Sequence, residues 1–394
     1  MQVMFRYMML CFFFQTTIAV TSPYLQLILR NKGYSYSLVG VMLAVGQIAS
    51  IIFPVIFTML SDKTRRTKSI VIILLIVSVC LYIPAALCGS VVLTFIIFFA
   101  AMGAYKSINP TLDGYLNRML DGDPARYSLA RSSGTMGYVV TLAIFGLINY
   151  PDVTDNRSMC TCLVIVSLIF LVVMCFAPKD RPLEEEDPSD VSEGKRKPFE
   201  FGRFSHKFYL MMLAAGLTRV AQAVPDHLLS SYMTEVLGLG DNFSLFVALG
   251  ALAEFFMMIF GGYLLHKGKT TPYTLILLSA IALVVRMLIY YFIPSIPGLL
   301  LGQLLHSMTF GAYHIAITRF ISQTVRHRHY SQAMGFYWAV ATNLPQLLGS
   351  LLGGVVIDHF GYPFLFLSFA VFPLISVVIC LAKGTYFKQT TERE

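Results

Sequence analysis

Residues 36–60 read YSLVGVMLAVGQIASIIFPVIFTML, and after the basic loop SDKTRRTK at 61–68 a second run, SIVIILLIVSVCLYIPAALC, fills 69–88. Neither apolar run holds a charged residue. A helix needs about 20 mostly apolar residues to cross the hydrocarbon core of a bilayer, so each run is long enough for one crossing. Because lipid offers the backbone no hydrogen-bond partners, runs of this kind are helical. This stretch therefore predicts a protein that crosses a membrane repeatedly.

The same pattern fills nearly the whole chain, which is 56% hydrophobic and only 13% charged, with a mean hydropathy of +0.70. Twelve spans are predicted, and the first is too long for a signal-peptide core, so we expect it to be retained. The fold class is therefore an all-α membrane protein with 12 transmembrane helices. We number the predicted spans 1 to 12 in chain order: 5–29, 36–60, 68–88, 91–113, 127–149, 158–177, 206–232, 243–265, 271–293, 297–321, 331–355 and 362–383.

Basic residues are concentrated in the loops at one side of the predicted bundle, which explains the net charge of +8. The basic residues in the loops at the other side are only Arg30, Lys32 and Arg157. The positive-inside rule then predicts that both termini are cytoplasmic, in a multi-pass protein of the cell (inner or plasma) membrane. We attribute the positive charge to topology and expect the lipid bilayer, and no nucleic acid, as a partner. The basic residues are Lys63, Arg65, Arg66, Lys68, Arg118, Arg126, Lys179, Arg181, Lys195, Arg196, Lys197, Arg203, Lys207, Lys267, Lys269, Arg326, Arg328, Lys383, Lys388 and Arg393.

One charged segment interrupts the apolar pattern and leaves six spans on either side. It carries the acidic run LEEEDPSD at 183–190 and the basic run GKRK at 194–197, and it has too few apolar residues to form a core. The predicted organisation is an N-terminal six-helix bundle at 1–177, a cytoplasmic linker at 178–205, a C-terminal six-helix bundle at 206–383 and a cytoplasmic tail at 384–394.

A short motif occurs at equivalent points of the two halves. Thr58-Met-Leu-Ser-Asp62-Lys63-Thr-Arg65-Arg66 follows span 2, and Gly262-Tyr-Leu-Leu-His266-Lys267-Gly268-Lys269 follows span 8. Both resemble degenerate copies of the loop motif of the major facilitator superfamily, in which a small residue lets two helices approach and an acid pairs with basic groups. The resemblance implies two pseudo-symmetric six-helix bundles, with a gating role for Asp62, Lys63, Arg66, Gly262 and Lys267.

Two further stretches narrow the resemblance. Pro110-Thr-Leu-Asp113-Gly-Tyr-Leu-Asn-Arg118 and Tyr127-Ser-Leu-Ala-Arg131-Ser-Ser-Gly134-Thr-Met-Gly137-Tyr138 are similar to helices four and five of the lactose permease branch. Nucleoside-proton symporters and phenylpropionate permeases share this branch. The resemblance implies that Asp113 and Arg131 bind substrate hydroxyls and that Tyr138 stacks on a ring. The alternative is a structural ion pair between spans 4 and 5.

Ionisable groups inside a membrane are costly and are usually functional. Glu254 lies alone in the apolar sequence of span 8, where a carboxyl group is suited to carry a proton. Arg286 and His306 match coupling residues of the lactose permease, although Thr309 stands where that permease has its proton-carrying acid. Asp226, without the lysine partner found there, is a second candidate proton carrier. The remaining polar candidates for substrate binding are Lys106, Gln222 and Asn343.

These features predict a secondary active transporter that works by alternating access, with a small-molecule substrate and H⁺ as its ligands. Proton-coupled symport of an oligosaccharide, nucleoside or glycoside is the leading hypothesis. The alternatives are import of an aromatic or other organic carboxylate, drug efflux and, more remotely, a transporter-like receptor that does not transport. The sequence contains no nucleotide-binding loop and no metal-ligand spacing, so we expect no enzyme, cofactor or metal. We expect a monomer. The sequons at Asn156 and Asn242 would be glycosylated only in a eukaryotic source, which the sequence does not reveal.

Overall fold

The structure is a computed structural model that describes residues 2–120, 123–180, 204–326 and 329–388. Residues 181–203 of the predicted linker and the last six residues of the tail lie outside the described residues. The described ranges are helical and contain no β-strand. The first five tail residues form a short helix, Gly384–Lys388, in which Phe387 is buried and stacks on Tyr273.

All twelve predicted spans are helices. Nine stretches of the described chain are long and apolar enough to cross a membrane, and the longest, Gln332–Ala382, contains spans 11 and 12. Spans 5 and 10 complete the twelve. The first half consists of Gln2–Thr21 with Leu25–Arg30, Tyr36–Thr64, Thr67–Leu87, Val91–Met119, Pro124–Ile148 and Asn156–Cys175.

The second half repeats the series with more interruptions. Gly361, at φ 76°, turns the chain between spans 11 and 12, a backbone conformation that glycine adopts without strain. Spans 7, 10 and 11 also contain π-helical segments, which the sequence pattern did not predict. The helices are His206–His227 with Leu229–Ser231 and Tyr232–Val236, Phe243–His266, Pro272–Phe292, Ile296–His306 with Ser307–Ala312 and Tyr313–Thr324, Tyr330–Trp338 with Ala339–Asn343, Leu344–Phe369, and Val371–Ala382.

The two halves use the same internal helix pairings. Span 1 packs on spans 5 and 6, span 2 packs on span 4, and span 3 packs on spans 4 and 6. Each pairing recurs six spans later, as 7 with 11 and 12, 8 with 10, and 9 with 10 and 12. Between the halves, span 2 packs on span 11 and span 5 packs on span 8. These two contacts are related by the same pseudo-symmetry, and they leave spans 1, 4, 7 and 10 facing a central space.

We call the end of the bundle with the basic loops the basic end, and the other the opposite end. At the opposite end, glycines bring the halves into backbone contact. A Cβ on Gly354 of span 11 would lie 2.2 Å from the carbonyl oxygen of Tyr36, and one on Gly40 of span 2 would lie 2.5 Å from that of Ser350. A Cβ on Gly146 of span 5 would similarly lie 2.4 Å from Leu245. No side chain fits at these positions, so the opposite end is closed.

Polar groups join the halves at the same end. Arg30 Nε donates to Glu235 Oε1 at 3.0 Å, and the Tyr36 hydroxyl donates to Glu235 Oε2 at 2.7 Å. The Asp358 carboxylate accepts hydrogen bonds from the amides of Tyr36 and Ser37 at 2.9 and 2.6 Å. These amides belong to the first turn of span 2, which has no intrahelical partners for them, so Asp358 of one half caps a helix of the other.

Toward the basic end the halves diverge. A Cβ on Gly335 of span 11 would meet no atom within 4 Å, and Trp338 one turn later is 44% exposed. In the middle of span 4, Lys106 is exposed although its neighbours Tyr105 and Ser107 are buried. A central cavity therefore opens at the basic end and is closed at the opposite end.

The Glu235 contacts predict how acid acts on the closed end. Burial opposes ionisation of Glu235, but hydrogen bonds from Arg30 and Tyr36 outweigh it and hold its pKa below the ordinary value of 4.5. A lowered pKa means that the contact is present above the ordinary value and is lost as the pH falls through the lowered one. Spin labels can be placed at the opposite end, on the start of span 2 and the end of span 11. We expect the distance between them to stay constant from neutral pH to about pH 4.5 and to increase below it.

Glu235→Gln should widen that distance distribution at neutral pH, with at most a few-fold change in populations, because half-exposed ion pairs contribute about 0–1 kcal/mol. Asp152→Asn, an exposed acid at the same end, is the control and should leave it unchanged. Identical distributions for Glu235→Gln and the parent chain would show that Glu235 does not hold this end closed.

Candidate functional site

Lys106 and Asp226 face each other across the cavity from opposite halves. Asp226 of span 7 accepts hydrogen bonds from Gln222 Nε2 at 2.8 Å and from Gln346 Nε2 at 3.0 Å. The Asp226 carboxylate is close enough to Lys106 for the two charges to interact, but the side chains do not form an ion pair. Among the described residues Lys106 has no hydrogen-bond or ion-pair partner. The amides of spans 7 and 11 thus take the place of the missing lysine partner of Asp226.

Asp113 and Arg131 are brought together as the sequence predicted. Arg131 Nε lies 3.5 Å from Asp113 Oδ1, and Arg131 Nη1 donates to Asn109 Oδ1 at 3.1 Å. The Asp113 oxygen is buried, and its contact with Arg131 lacks the geometry of a hydrogen bond. A guanidinium donates several hydrogen bonds in fixed directions, and this one keeps donors unused. The pair can therefore bind a polar ligand without first breaking apart.

The side chains of Glu254, His306 and Arg286, on spans 8, 10 and 9, contact one another in series. Glu254 Oε2 lies 3.3 Å from His306 Nε2, and His306 Nδ1 lies 3.1 Å from Arg286 Nη1. Arg286 is buried, and it also donates to the Tyr290 hydroxyl at 3.0 Å and the Thr309 hydroxyl at 3.3 Å. Glu254 does not contact Arg286 directly, because His306 lies between them.

The chain of contacts determines where the His306 proton lies. Arginine can only donate hydrogen bonds, so His306 Nδ1 must accept one and carries no proton. The proton of the neutral imidazole is then on Nε2, where it points at Glu254. Protonating His306 on Nδ1 would set two donors against each other. In this arrangement Glu254 is the acid that His306 links to Arg286.

Glycines let Glu254 approach span 10 this closely. A Cβ on Gly311 would lie 3.0 Å from the Glu254 carbonyl oxygen, and one on Gly250 would lie 2.7 Å from Gln303 Oε1. Gly311 lies in the π-helical segment Ser307–Ala312, which interrupts span 10 beside His306. Segments of this kind are frequent at functional sites. Glu254 is also within electrostatic range of Tyr138, so this site faces the N-terminal half.

Arg219 of span 7 is a further charged residue of the site. It is 2% exposed, and its guanidinium carbon lies 4.2 Å from the centre of the Tyr313 ring and 4.9 Å from that of Phe310. Two of its nitrogens, Nε and Nη1, are buried and have no hydrogen-bond partner among the described residues. The hydroxyls of Tyr313 and Tyr337 lie beside the guanidinium, but they too are buried without a hydrogen bond of good geometry. A buried cation without a contacting acid indicates a place for water or an anionic group.

The remaining predicted substrate contacts lie on both sides of the cavity. Tyr138 is half-buried on span 5, within electrostatic range of Asp226 and Glu254. Gln222 is buried and donates to Asp226. Asn343 is half-buried at the end of a π-helical segment of span 11. The cavity thus brings together polar residues from both halves.

The loop motif forms an ion-pair network only in the first half of the described chain. Arg118 Nη1 donates to Asp62 Oδ1 at 2.7 Å, and Arg118 Nη2 donates to Asp180 Oδ2 at 3.0 Å. Burial opposes ionisation of Asp180, but hydrogen bonds from Arg118 and Thr67 outweigh it and lower its pKa. Lys63 and Lys267 are exposed, and Arg66 begins the helix of span 3.

Gly262 does not make the close helix contact that the motif implied. A Cβ there would meet no atom within 4 Å. The neighbouring Gly261 is the residue that faces span 10, where a Cβ would lie 2.6 Å from Ile315. The helix of span 8 turns Gly262 toward an open pocket instead, because in this state span 10 does not cover that face.

The fold is shared with solved transporter structures. A crystal structure of the nucleoside transporter NupG matches with a TM-score of 0.73 and 15% identity, covering 99% of this chain and 100% of that one. A D-xylose-proton symporter matches with a TM-score of 0.71 and 15% identity, covering 99% and 97%. Identities this low carry the fold and not the substrate. The two-bundle fold of the major facilitator superfamily is thereby confirmed.

Sequence comparison gives the same class. The uncharacterized transporter YwbF of Bacillus subtilis (strain 168) is 21% identical over 351 residues, which is 88% of this chain and 84% of that protein. The model of the MFS_1 like family matches residues 4–368. The chain therefore belongs to the MFS_1 like family, a family of multi-pass membrane transporters and not of enzymes.

Proposed function

We propose that this transporter is a proton-coupled symporter that carries a small polar solute by alternating access. The proposal rests on the side-chain contacts that join Glu254 to His306 and His306 to Arg286 beside the cavity. An acid whose close basic neighbour is a histidine, and not an arginine or a lysine, can take up and release a proton without breaking an ion pair with a permanent charge. Asp226, held only by amide groups, is a second acid available to the same cavity.

Coupling follows from the position of Glu254 between the halves. An ionised carboxylate inside a closed, desolvated cavity is costly, so closure favours the protonated form. A solute that fills the cavity allows the protonated carrier to close around it, and release of the proton accompanies reopening. The basic end, where the cavity opens, is then cytoplasmic by the positive-inside rule, and the state described is inward-open. A monomer contains all of these groups.

The pair Asp113–Arg131 supports an oligosaccharide, nucleoside or glycoside as the solute. A carboxylate accepts hydroxyl protons, a guanidinium donates in fixed geometry, and Tyr138 offers an aromatic face. Lys106, Asp226 and Glu254 in the same cavity disfavour an apolar drug as the cargo. Drug efflux is therefore not supported by this lining.

Arg219 favours a second candidate, the import of an organic carboxylate. Lys106, Arg219 and Arg286 have no acidic partner among the described residues, while Asp226 and Glu254 have no arginine or lysine partner. The cavity thus has one more base than acid when both acids are ionised. A monoanionic solute would neutralise the surplus, and the unpaired N–H groups of Arg219 offer its carboxylate hydrogen bonds.

Reconstitution distinguishes the two candidates. Purified protein in liposomes, under an inward proton gradient, is offered radiolabelled sugars, nucleosides, glycosides and aromatic carboxylates. Accumulation of one class, abolished by a protonophore, supports symport and identifies the solute. Under the carboxylate candidate, Arg219→Gln removes uptake of the anion, and Arg219→Lys retains part of it. If the protonophore does not reduce the uptake of any solute, the result would contradict proton coupling.

Asp113→Asn is expected to weaken solute affinity while leaving the maximal transport rate largely unchanged. A hydrogen bond to a charged group contributes about 1.5–3 kcal/mol, which corresponds to an affinity about tenfold to a hundredfold lower. The KM for the solute identified in the liposome assay measures this. A structural ion pair would instead lower the amount of folded protein, seen by size-exclusion chromatography, with no specific change in KM.

A further inference from the structure

An open pocket of about 370 Å³ lies at the basic end of the C-terminal half, outside the transport cavity. Its wall comes from the ends of spans 8 and 10 and the start of span 11. The polar groups that line it are one guanidinium, one imidazole and three hydroxyls, from Arg319, His266, Thr318, Ser322 and Tyr330. None of the described residues contributes a carboxylate to this lining.

The pseudo-symmetric position in the first half has the opposite chemistry. Aligning span 10 on span 4 from their first residues, Ile296 and Val91, sets Thr318 opposite Asp113 and Arg319 opposite Gly114. Burial supports this register, because Tyr115 and Leu116 are buried like their counterparts two and three positions after Thr318. The loop motif likewise sets His266 opposite Asp62. At these positions the second half has a threonine and a histidine in place of two acids, and an arginine in place of Gly114.

That arginine has no partner within the part of the chain that the structure describes. In the first half, Arg118 is paired with Asp62 and Asp180, so the basic group and its anions belong to the same network. Arg319 is exposed, and its side chain makes no hydrogen bond or ion pair with a described residue. The adjacent Lys267 is exposed and adds to the positive field. A pocket that the described residues line with a guanidinium but with no acid suits an anion supplied from outside.

We propose that this pocket binds a phosphate group. Arginine forms two parallel hydrogen bonds with phosphate oxygens, and the Tyr330 hydroxyl and the His266 ring can supply further donors. The pocket lies at the basic end, beside the ends of spans 8 and 10. A lipid headgroup phosphate and a free phosphate compound present the same chemistry to it. The proposal concerns a site separate from the transport cavity and does not depend on the nature of the transported solute.

Native mass spectrometry of the purified full chain in neutral detergent tests this proposal. The probes are phosphatidylglycerol, phosphatidylcholine and inorganic phosphate, titrated separately. We expect saturable binding of at least one probe, about tenfold weaker in Arg319→Gln and partly restored in Arg319→Lys. Lys269→Gln removes a base at the same end that does not line the pocket, and it should bind like the parent chain.

The pattern of probes identifies the source of the phosphate. Binding of the lipids but not of inorganic phosphate assigns a headgroup, and binding of inorganic phosphate assigns a free compound. Equal losses in Arg319→Gln and Lys269→Gln would indicate general attraction to a basic surface and would overturn the proposal. Absence of saturable binding by every probe would overturn it as well.

Discussion

Glu254→Gln is expected to abolish proton-driven accumulation of the solute while leaving exchange of internal for external solute intact. Glutamine keeps the size and one hydrogen bond to His306 but cannot release a proton. For one proton per solute, a gradient of one pH unit supports about tenfold accumulation, because about 1.4 kcal/mol corresponds to a factor of ten. In the variant the ratio should fall to the equilibrium value. Proteoliposomes with and without a pH gradient measure both activities.

Two amide substitutions serve as comparisons for Glu254. Asp226→Asn changes the other unpaired acid of the cavity, and Asp152→Asn changes an exposed acid at the opposite end. If accumulation survives in Glu254→Gln but is lost in Asp226→Asn, the proton carrier is Asp226 and not Glu254. Loss of exchange together with accumulation in Glu254→Gln would make Glu254 a substrate contact or a structural group.

Gly354→Val is expected to prevent closure of the opposite end and to stop transport. A Cβ at Gly354 would lie 2.2 Å from the Tyr36 carbonyl oxygen, and that atom belongs to the backbone and cannot move aside alone. The halves would have to separate at spans 2 and 11, so the population should shift toward the state open at that end. We expect uptake near background and faster alkylation of a cysteine introduced at Gln47, where span 2 faces His227.

Gly335→Val is the matched control for this prediction, because it adds the same side chain to the same span. A Cβ at Gly335 would meet no atom within 4 Å in this state. Alkylation at position 47 should therefore be unchanged in Gly335→Val. Equal alkylation in both variants and the parent chain would show that the contact between Gly354 and Tyr36 does not keep that end closed.

The number and type of the helices could be predicted because lipid leaves the backbone few alternatives. Runs without charge had to be helices, and their lengths matched the bilayer. Boundaries were less well predicted at the basic end, where spans 2 and 4 continue to Thr64 and Met119, beyond the predicted ends at 60 and 113. Those last turns are polar, and their helical conformation is supported by contacts such as that of Arg118 with Asp62.

The site was predictable only where a charge stood out from an apolar sequence. Glu254, Arg286 and His306 were selected separately, but their arrangement in one chain depends on the packing of three spans through glycines. The surroundings of Arg219 could not be predicted, because nothing in its sequence neighbourhood shows which groups will pack around it. The π-helical segments were missed for a related reason: one added residue per turn leaves the apolar composition unchanged.

The cap that Asp358 places on span 2 gives the protein an internal reporter of its conformation. The amides of Tyr36 and Ser37 are bonded to the partner half only while the opposite end is closed. When that end opens, both must bond to water, and their hydrogens can then exchange with deuterium. The exchange rate of this one turn therefore measures the fraction of time that the transporter spends open at that end, without a label or a substitution.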